Sequence, residues 1–121
     1  MNGLRRELSR LGAAAGYSWA GFRVAVRTQA SVRTDLLLAL VLVPLALWLG
    51  DSGLERAVLV ASVVLLLLAE LVNTAVELVV DRVGSEWHEL SKQAKDVGSA
   101  VVCAALIQML AVWGLILWDR L

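Results

Sequence analysis

Residues 97–118 form the longest uncharged run in the chain, 22 residues without Asp, Glu, Lys or Arg. A helix of that length extends about 33 Å, which is enough to cross a hydrocarbon core of ~30 Å. Residues 36–50 form a second uncharged run, and residues 57–80 are apolar apart from a few polar side chains. With 60% hydrophobic residues in 121, the chain is predicted to be an all-α, single-domain, polytopic membrane protein.

We predict three transmembrane helices, an N-terminal amphipathic helix on the membrane surface and one polar connection. In chain order these are the surface helix 4–28, the spans 32–50 and 54–82, the cytosolic connection 83–95 and the span 96–119. The first span is short, and it reaches across only if Arg33 and Asp35 extend their polar ends to the headgroups.

Residues 4–28 carry two opposed helical faces. The apolar residues recur at helical spacing: Leu4, Leu8, Leu11, Ala15, Trp19, Phe22 and Val26. Arginines occupy the other side: Arg5, Arg6, Arg10, Arg23 and Arg27. Such a helix lies along a membrane surface with its arginines towards anionic headgroups. It is either a passive anchor or a contributor to substrate binding, and the pattern alone leaves both roles open.

The positions of the basic residues predict the orientation in the membrane. Nine of the eleven lie on the side of the N-terminus and the polar connection: Arg5, Arg6, Arg10, Arg23, Arg27, Arg33, Arg82, Lys92 and Lys95. The positive-inside rule places that side in the cytoplasm. Eleven acidic residues balance the eleven basic ones, so the overall charge does not favour a nucleic-acid partner. The single cysteine, Cys103, lies in an apolar run and is predicted to be buried.

The second span contains acidic residues within its apolar sequence. One face of its helical wheel, about 80° wide, collects four polar side chains: Glu70, Asn73, Glu77 and Asp81. A carboxylate at the centre of a membrane helix costs at least ~2.5 kcal/mol, so a function is expected for this face.

Three roles compete for the acidic face: hydrogen bonding between helices, an ion or proton pathway, and a catalytic site. Helix association typically uses one Asn, Ser or Thr, and aligned acids repel one another unless cations or basic groups offset them. A proton pathway needs access from both sides of the membrane, whereas this row runs only towards the cytoplasmic end. Asp81, at that end, is predicted to form an ion pair or a cap rather than to bind a metal.

A one-sided acidic site with Lys95 and Asp96 nearby suits phosphoryl transfer to a lipid hydroxyl, because carboxylates bind Mg²⁺ and a lysine neutralises phosphate. The sequence contains none of the usual nucleotide signatures, neither a GxxxxGK[ST] loop nor HRD or DFG. The residues alone therefore predict a membrane enzyme or transporter with a cytosol-facing acidic site.

Two segments, AAGYSWAGFRVA (14–25) and ELVNTAVELVVDRVGSEWHELSKQAKDVGSA (70–100), closely resemble the prokaryotic integral-membrane diacylglycerol kinase family. The three-span layout extends this resemblance over nearly the whole chain. It implies an ATP- and Mg²⁺-dependent kinase that converts diacylglycerol to phosphatidate as a homotrimer with sites shared between subunits. It also implies the bacterial cytoplasmic membrane, with the N-terminus in the cytoplasm.

The resemblance implies roles for individual residues. Glu70 is the general base at the lipid hydroxyl, Asn73 positions the reacting groups, and Glu77 and Gln29 occupy metal positions. The implied nucleotide-binding residues are Arg10, Tyr17, Gln29, Glu77, Glu86, Trp87, His88, Lys95 and Asp96. The implied lipid-binding residues are Arg10, Trp19, Arg23, Arg33, Asp35, Glu70, Ser99 and Trp113.

Three of these residues have plainer alternatives. Ser99, between Gly98 and Ala100, can simply allow close helix packing. His88 can be a solvated loop residue, and Trp113 can be a core residue.

Gln29 departs from the family pattern, which has a glutamate at this position. An amide oxygen binds Mg²⁺ without contributing charge, so metal affinity is what the change affects. Asp35 replaces a frequent glutamate and keeps the charge.

Two other functions stay open at this level. Undecaprenol kinases of the same family use the same polar residues. A small proton-coupled transporter also uses a membrane-buried Glu, although it typically needs four spans and three are predicted here.

Overall fold

Four α-helices make up almost all of residues 2–121, which are the residues described by this computed structural model. They are α1 (Asn2–Thr28), α2 (Ala30–Leu49), α3 (Gly53–Val83) and α4 (Glu89–Trp118). No strand occurs among these residues, and the predicted all-α class is confirmed. Three helices, α2, α3 and α4, are long and apolar enough to cross a membrane.

The chain divides into a unit that ends at Ala30 and a unit of residues 31–121. In the first unit, α1 is one uninterrupted helix whose apolar face, including Leu4, Leu8 and Trp19, is exposed. Arg10 and Arg23 are also exposed. This helix is amphipathic, as the sequence predicts, and it is suited to a membrane surface.

In the second unit, α3 and α4 pack against each other around a small apolar core. Its buried members are Val63, Leu66, Ala69, Ala105 and Met109. From α2, side chains such as Leu38 and Leu42 pack against this core. Most other apolar side chains of these helices face outwards, as expected where lipid tails solvate the surface.

Polar contacts at the end opposite the acidic row tie the start of α3 to the end of α4. Ser52 caps α3, because its Oγ accepts a hydrogen bond of 3.1 Å from the Glu55 N–H. Glu55 Oε2 accepts bonds of 2.8 Å from the Asp51 N–H and from Arg120 Nη2, beyond the end of α4. These contacts fix the spacing of the two helices at this end.

Residues 89–95, expected in the polar connection, belong to α4, which begins seven residues before the predicted span. The link between α3 and α4 is residues 84–88. His88 caps α4 through Nδ1, which accepts from the Leu90 N–H at 3.0 Å. The side chains of Glu89 and Gln93 then pair at 3.2 Å, so the polar turn is stable as a helix.

Cys103 is exposed, so the prediction that it is buried is wrong. Gly98, Ala105 and Met109 are the buried residues of α4 and lie on one face of it. At 100° per residue Cys103 lies about 140° from Gly98, so hydrophobicity of the run did not indicate its direction.

Candidate active site

The polar face of α3 runs from the interior of the helix bundle to its end. Glu70 is buried, with 7% of its surface exposed, and Thr74 beside it is also buried. Asn73 and Glu77 are partly buried, and Asp81 is exposed. The Thr74 hydroxyl donates to the Glu70 carbonyl oxygen at 2.9 Å, which satisfies it within the helix. The face therefore presents Glu70, Asn73 and Glu77 as a row that becomes more accessible towards one end.

Asn73 and Glu77 are joined by a hydrogen bond of 3.3 Å from Asn73 Nδ2 to Glu77 Oε1. An ionised carboxylate only accepts hydrogen bonds, so this pairing directs the amide nitrogen to Glu77 and the amide oxygen away from it. The oxygen, Asn73 Oδ1, is buried and has no hydrogen-bond partner among residues 2–121. It lies against Gly98 of α4, where a Cβ atom would collide with it.

Asp35 of α2 lies in the same part of the bundle. Its carboxylate is near enough to that of Glu70 for the two groups to interact electrostatically. Its Oδ2 is buried without a hydrogen-bond partner in the described chain. The structure thus brings a predicted lipid-binding residue close to the predicted base.

A cavity of about 460 Å³ lies where α3 ends and α4 begins. It is lined by five of the predicted nucleotide-binding residues: Glu86, Trp87, His88, Lys95 and Asp96. His88 has two roles here, since its Nδ1 caps α4 while the side chain also lines the cavity. It is an exposed residue of the link that also caps α4, and its role in nucleotide binding stays a prediction.

Two ion pairs cross or border this cavity. Lys95 Nζ lies 2.8 Å from Asp81 Oδ1, and Lys92 Nζ lies 2.7 Å from Asp96 Oδ2. The predicted ion pair of Asp81 is confirmed. All four side chains are exposed, and such pairs contribute about 0–1 kcal/mol, so a phosphate could displace a carboxylate at small cost.

Lys92 was not predicted as a site residue. The sequence could have indicated it, because Lys92 lies four residues before Asp96 and residues four apart share one face of a helix.

Trp113 is not brought to the acidic face. Its Nε1 donates to Ser62 Oγ at 3.1 Å, and its ring packs against the core of α3 and α4. Ser62 lies eight residues before Glu70, about 12 Å along the helix. The alternative prediction, a core role for Trp113, agrees with this placement.

Neutral side chains link α3 and α4 in that part of the bundle. Gln108 Nε2 donates at 2.8 Å to the Ser62 carbonyl oxygen, beside the Trp113 bond. Ser62, Gln108 and Trp113 thus form hydrogen bonds between the two helices, and neutral polar residues of this kind are common in membrane helix packing.

The remaining predicted residues are placed as follows. Arg10, Tyr17, Trp19 and Arg23 are exposed on α1. Gln29 is the residue between α1 and α2, and its N–H donates to the Ala25 carbonyl at 2.9 Å. Arg33 is exposed near the start of α2, and Ser99 is exposed on α4 next to Gly98.

The oxygen donors of the acidic face fit Mg²⁺ as it is usually bound. Among residues 2–121 no three His, Cys, Asp or Glu side chains form a complete metal cluster. Mg²⁺, however, is commonly held by one or two carboxylates and completed by substrate phosphates and water. The Glu77 carboxylate, partly buried on this face, supplies oxygen donors of the required kind.

A comparison with known protein families matches residues 16–117 to prokaryotic diacylglycerol kinase. This chain belongs to the prokaryotic diacylglycerol kinase family. It is 44% identical to diacylglycerol kinase of Escherichia coli K12 over 112 residues, which are 93% of this chain and 92% of that one. It is 47% identical to the Pseudomonas aeruginosa protein of that name over 115 residues, covering 95% and 90% of the two chains. The Helicobacter pylori 26695 protein is 36% identical over 109 residues, 90% and 85% of the two chains.

The match includes the whole polar face of α3 and every residue that lines the cavity. Membership in this family of kinases, with three apolar helices, makes the chain a membrane-bound kinase of the bacterial inner membrane. The chain is therefore an enzyme, and the alternative prediction of a transporter is not supported.

Proposed function

We propose that this protein transfers the γ-phosphate of ATP to diacylglycerol, giving phosphatidate, with Mg²⁺ and at the cytoplasmic surface of the membrane. One observation carries the proposal. Buried Glu70 shares a helix face with the Asn73–Glu77 pair, and that face leads to a cavity bordered by Lys92 and Lys95. A base at membrane depth and cations at the membrane surface are what transfer from a soluble nucleotide to a lipid requires.

Glu70 is the proposed general base. In the reaction, the lipid hydroxyl oxygen forms a bond to the γ-phosphorus, and the bond from that phosphorus to the β–γ bridging oxygen breaks. The hydroxyl proton passes to the Glu70 carboxylate, and ADP leaves with the electron pair of the broken bond. Burial of Glu70 within the apolar bundle favours an encounter with a lipid hydroxyl over one with bulk water.

The cavity between α3 and α4 is the proposed nucleotide site. Its volume of about 460 Å³ suits part of a nucleotide, and Lys92 and Lys95 supply positive charge for phosphates. The start of α4 adds the partial positive charge of a helix N-terminus. Trp87 is largely exposed beside it and offers a ring against which an adenine can stack.

Glu77 would hold Mg²⁺, together with Gln29 as the family resemblance implies. When bound, the cation neutralises charge on the phosphates. The hydrogen bond between Asn73 and Glu77 orients both side chains before any substrate binds.

The proposed lipid site combines Asp35 and Glu70 with Ser99 on α4 and Arg33 at the start of α2. Arg10, Trp19 and Arg23 on the amphipathic α1 are proposed to contact the headgroup region, with the N-terminus in the cytoplasm. We further propose a homotrimer with shared sites. The side chains of Lys95 and Asp96 are exposed in the single chain, which leaves room for a second subunit beside them.

The test is transfer of labelled γ-phosphate from ATP to a panel of diacylglycerol, undecaprenol and ceramide in mixed micelles. Labelled phosphatidate that requires Mg²⁺ is expected. Labelling of undecaprenol in preference to diacylglycerol would replace the proposed substrate, and no labelled lipid of any kind would overturn the proposed reaction.

A further inference from the structure

We infer that Gly98 is a positioning residue for the acidic site: its lack of a side chain lets the Asn73 amide lie against α4 and hold Glu77. This inference rests on the proposed function, in which Glu77 holds Mg²⁺ and its hydrogen bond with Asn73 orients it. The observation that leads to it is the close approach of two helices at this one point.

Gly98 is buried, and a Cβ atom built on it would collide with Asn73 Oδ1. The same atom would lie 3.4 Å from Asn73 Cγ and 3.8 Å from Val76 Cγ1, so the collision is with the amide group. A hydrogen of Gly98 occupies the Cβ direction and points at the oxygen. This weak Cα–H···O contact is what faces an oxygen that has no hydrogen-bond partner in the described chain.

The amide cannot satisfy both neighbours if a methyl group is added at position 98. Its nitrogen donates to Glu77 Oε1 at 3.3 Å, near the outer limit of a hydrogen bond. Turning the amide over would place its oxygen against the Glu77 carboxylate, and two acceptors repel. Moving it away from α4 would lengthen or break the bond to Glu77. Gly98 therefore acts on Glu77 through Asn73.

The side chain that gives way in Gly98→Ala is the end of Asn73, because the clash does not involve the backbone. Alanine also favours helix more than glycine does. Gly98→Ala should consequently keep or raise the midpoint of thermal unfolding while it disturbs the site. Gly114→Ala is the matched control on the same helix, since a Cβ there would have no heavy atom within 4 Å.

The contact can be measured without the reaction, because the chain contains only two asparagines, Asn2 and Asn73. Protein labelled with ¹⁵N-asparagine should give two side-chain amide signals by NMR in detergent micelles, and Asn73→Ala identifies the second. Gly98→Ala should shift the Asn73 signal and leave the Asn2 signal in place. Gly114→Ala should move neither.

The kinetic expectation is that Gly98→Ala loses about tenfold to hundredfold in turnover, the scale expected when a reacting group is displaced by ~1 Å. Gly114→Ala should retain turnover within twofold. An unmoved Asn73 signal, or loss of folding in Gly98→Ala, overturns the inference. A shifted signal with unchanged turnover overturns the positioning role but leaves the proposed reaction standing. Wild-type protein that phosphorylates no lipid defeats the proposed reaction, whereas the amide shift still reports the contact.

Discussion

Lys95 Nζ and Asp81 Oδ1 lie 2.8 Å apart and join the end of α3 to the first turns of α4. The residue proposed to hold phosphate is thus already paired with a carboxylate of its own chain. Because both side chains are exposed, the pair is weak enough to exchange Asp81 for a nucleotide phosphate. The two residues should then respond differently to neutralisation.

Asp81→Asn should leave ATP binding intact or strengthen it, because the substitution removes the carboxylate that competes with phosphate for Lys95. Lys95→Met should raise the KM for ATP by about tenfold or more, since a charge-assisted contact contributes ~1.5–3 kcal/mol. Both variants should unfold within a few degrees of the wild type. Equal losses of ATP affinity in the two variants would mean that Asp81, and not Lys95 alone, belongs to the nucleotide site.

Glu70→Gln should lower turnover by about 10²–10⁴-fold, because the amide cannot accept the hydroxyl proton. ATP affinity, measured by equilibrium binding, should be nearly unchanged, since the cavity lies at the end of α3. Glu89→Gln, on the exposed first turn of α4, removes the same charge elsewhere and should keep turnover within twofold. A Glu70→Gln variant with more than a tenth of wild-type turnover would remove Glu70 from the role of base.

The helical face of α3 was predictable because a helix has a fixed angular repeat. Spacing alone places Glu70, Asn73 and Glu77 together, and the structure shows that this face is the more buried one. The cost of a carboxylate in a membrane then indicates a function. None of this requires knowledge of a second helix.

Contacts between helices were not predictable in the same way. The approach of Gly98 to Asn73 depends on the register between α3 and α4, which no periodicity within one helix determines. The same holds for Cys103, whose run is apolar all round and therefore does not show which side faces α3. The first turns of α4 lie outside the predicted span because hydropathy detects the membrane-spanning part of a helix and not its polar turns.

The orientation in the membrane gives a further prediction from the nine-to-two distribution of basic residues. Single cysteines at Ser85 and Ser91 should be protected from a membrane-impermeant thiol reagent in intact cells, and one at Ser52 should react. The background must be Cys103→Ser, since Cys103 is exposed in the single chain. Labelling at 85 and 91 but not at 52 would put the acidic site away from cytosolic ATP and contradict the proposed kinase.

The final prediction concerns Gln29, where the resemblance implies a glutamate that shares a metal with Glu77. A neutral amide leaves the site one negative charge short, and hard-cation affinity follows ligand charge. Gln29→Glu should therefore shift half-activation by Mg²⁺, at saturating ATP, to a several-fold lower concentration with little change in the KM for lipid. Gln29→Leu removes the amide oxygen without adding charge and should not lower the Mg²⁺ midpoint. If the midpoint is the same in Gln29→Glu and wild type, position 29 is not a metal ligand, and Glu77 with the phosphates and water completes the coordination.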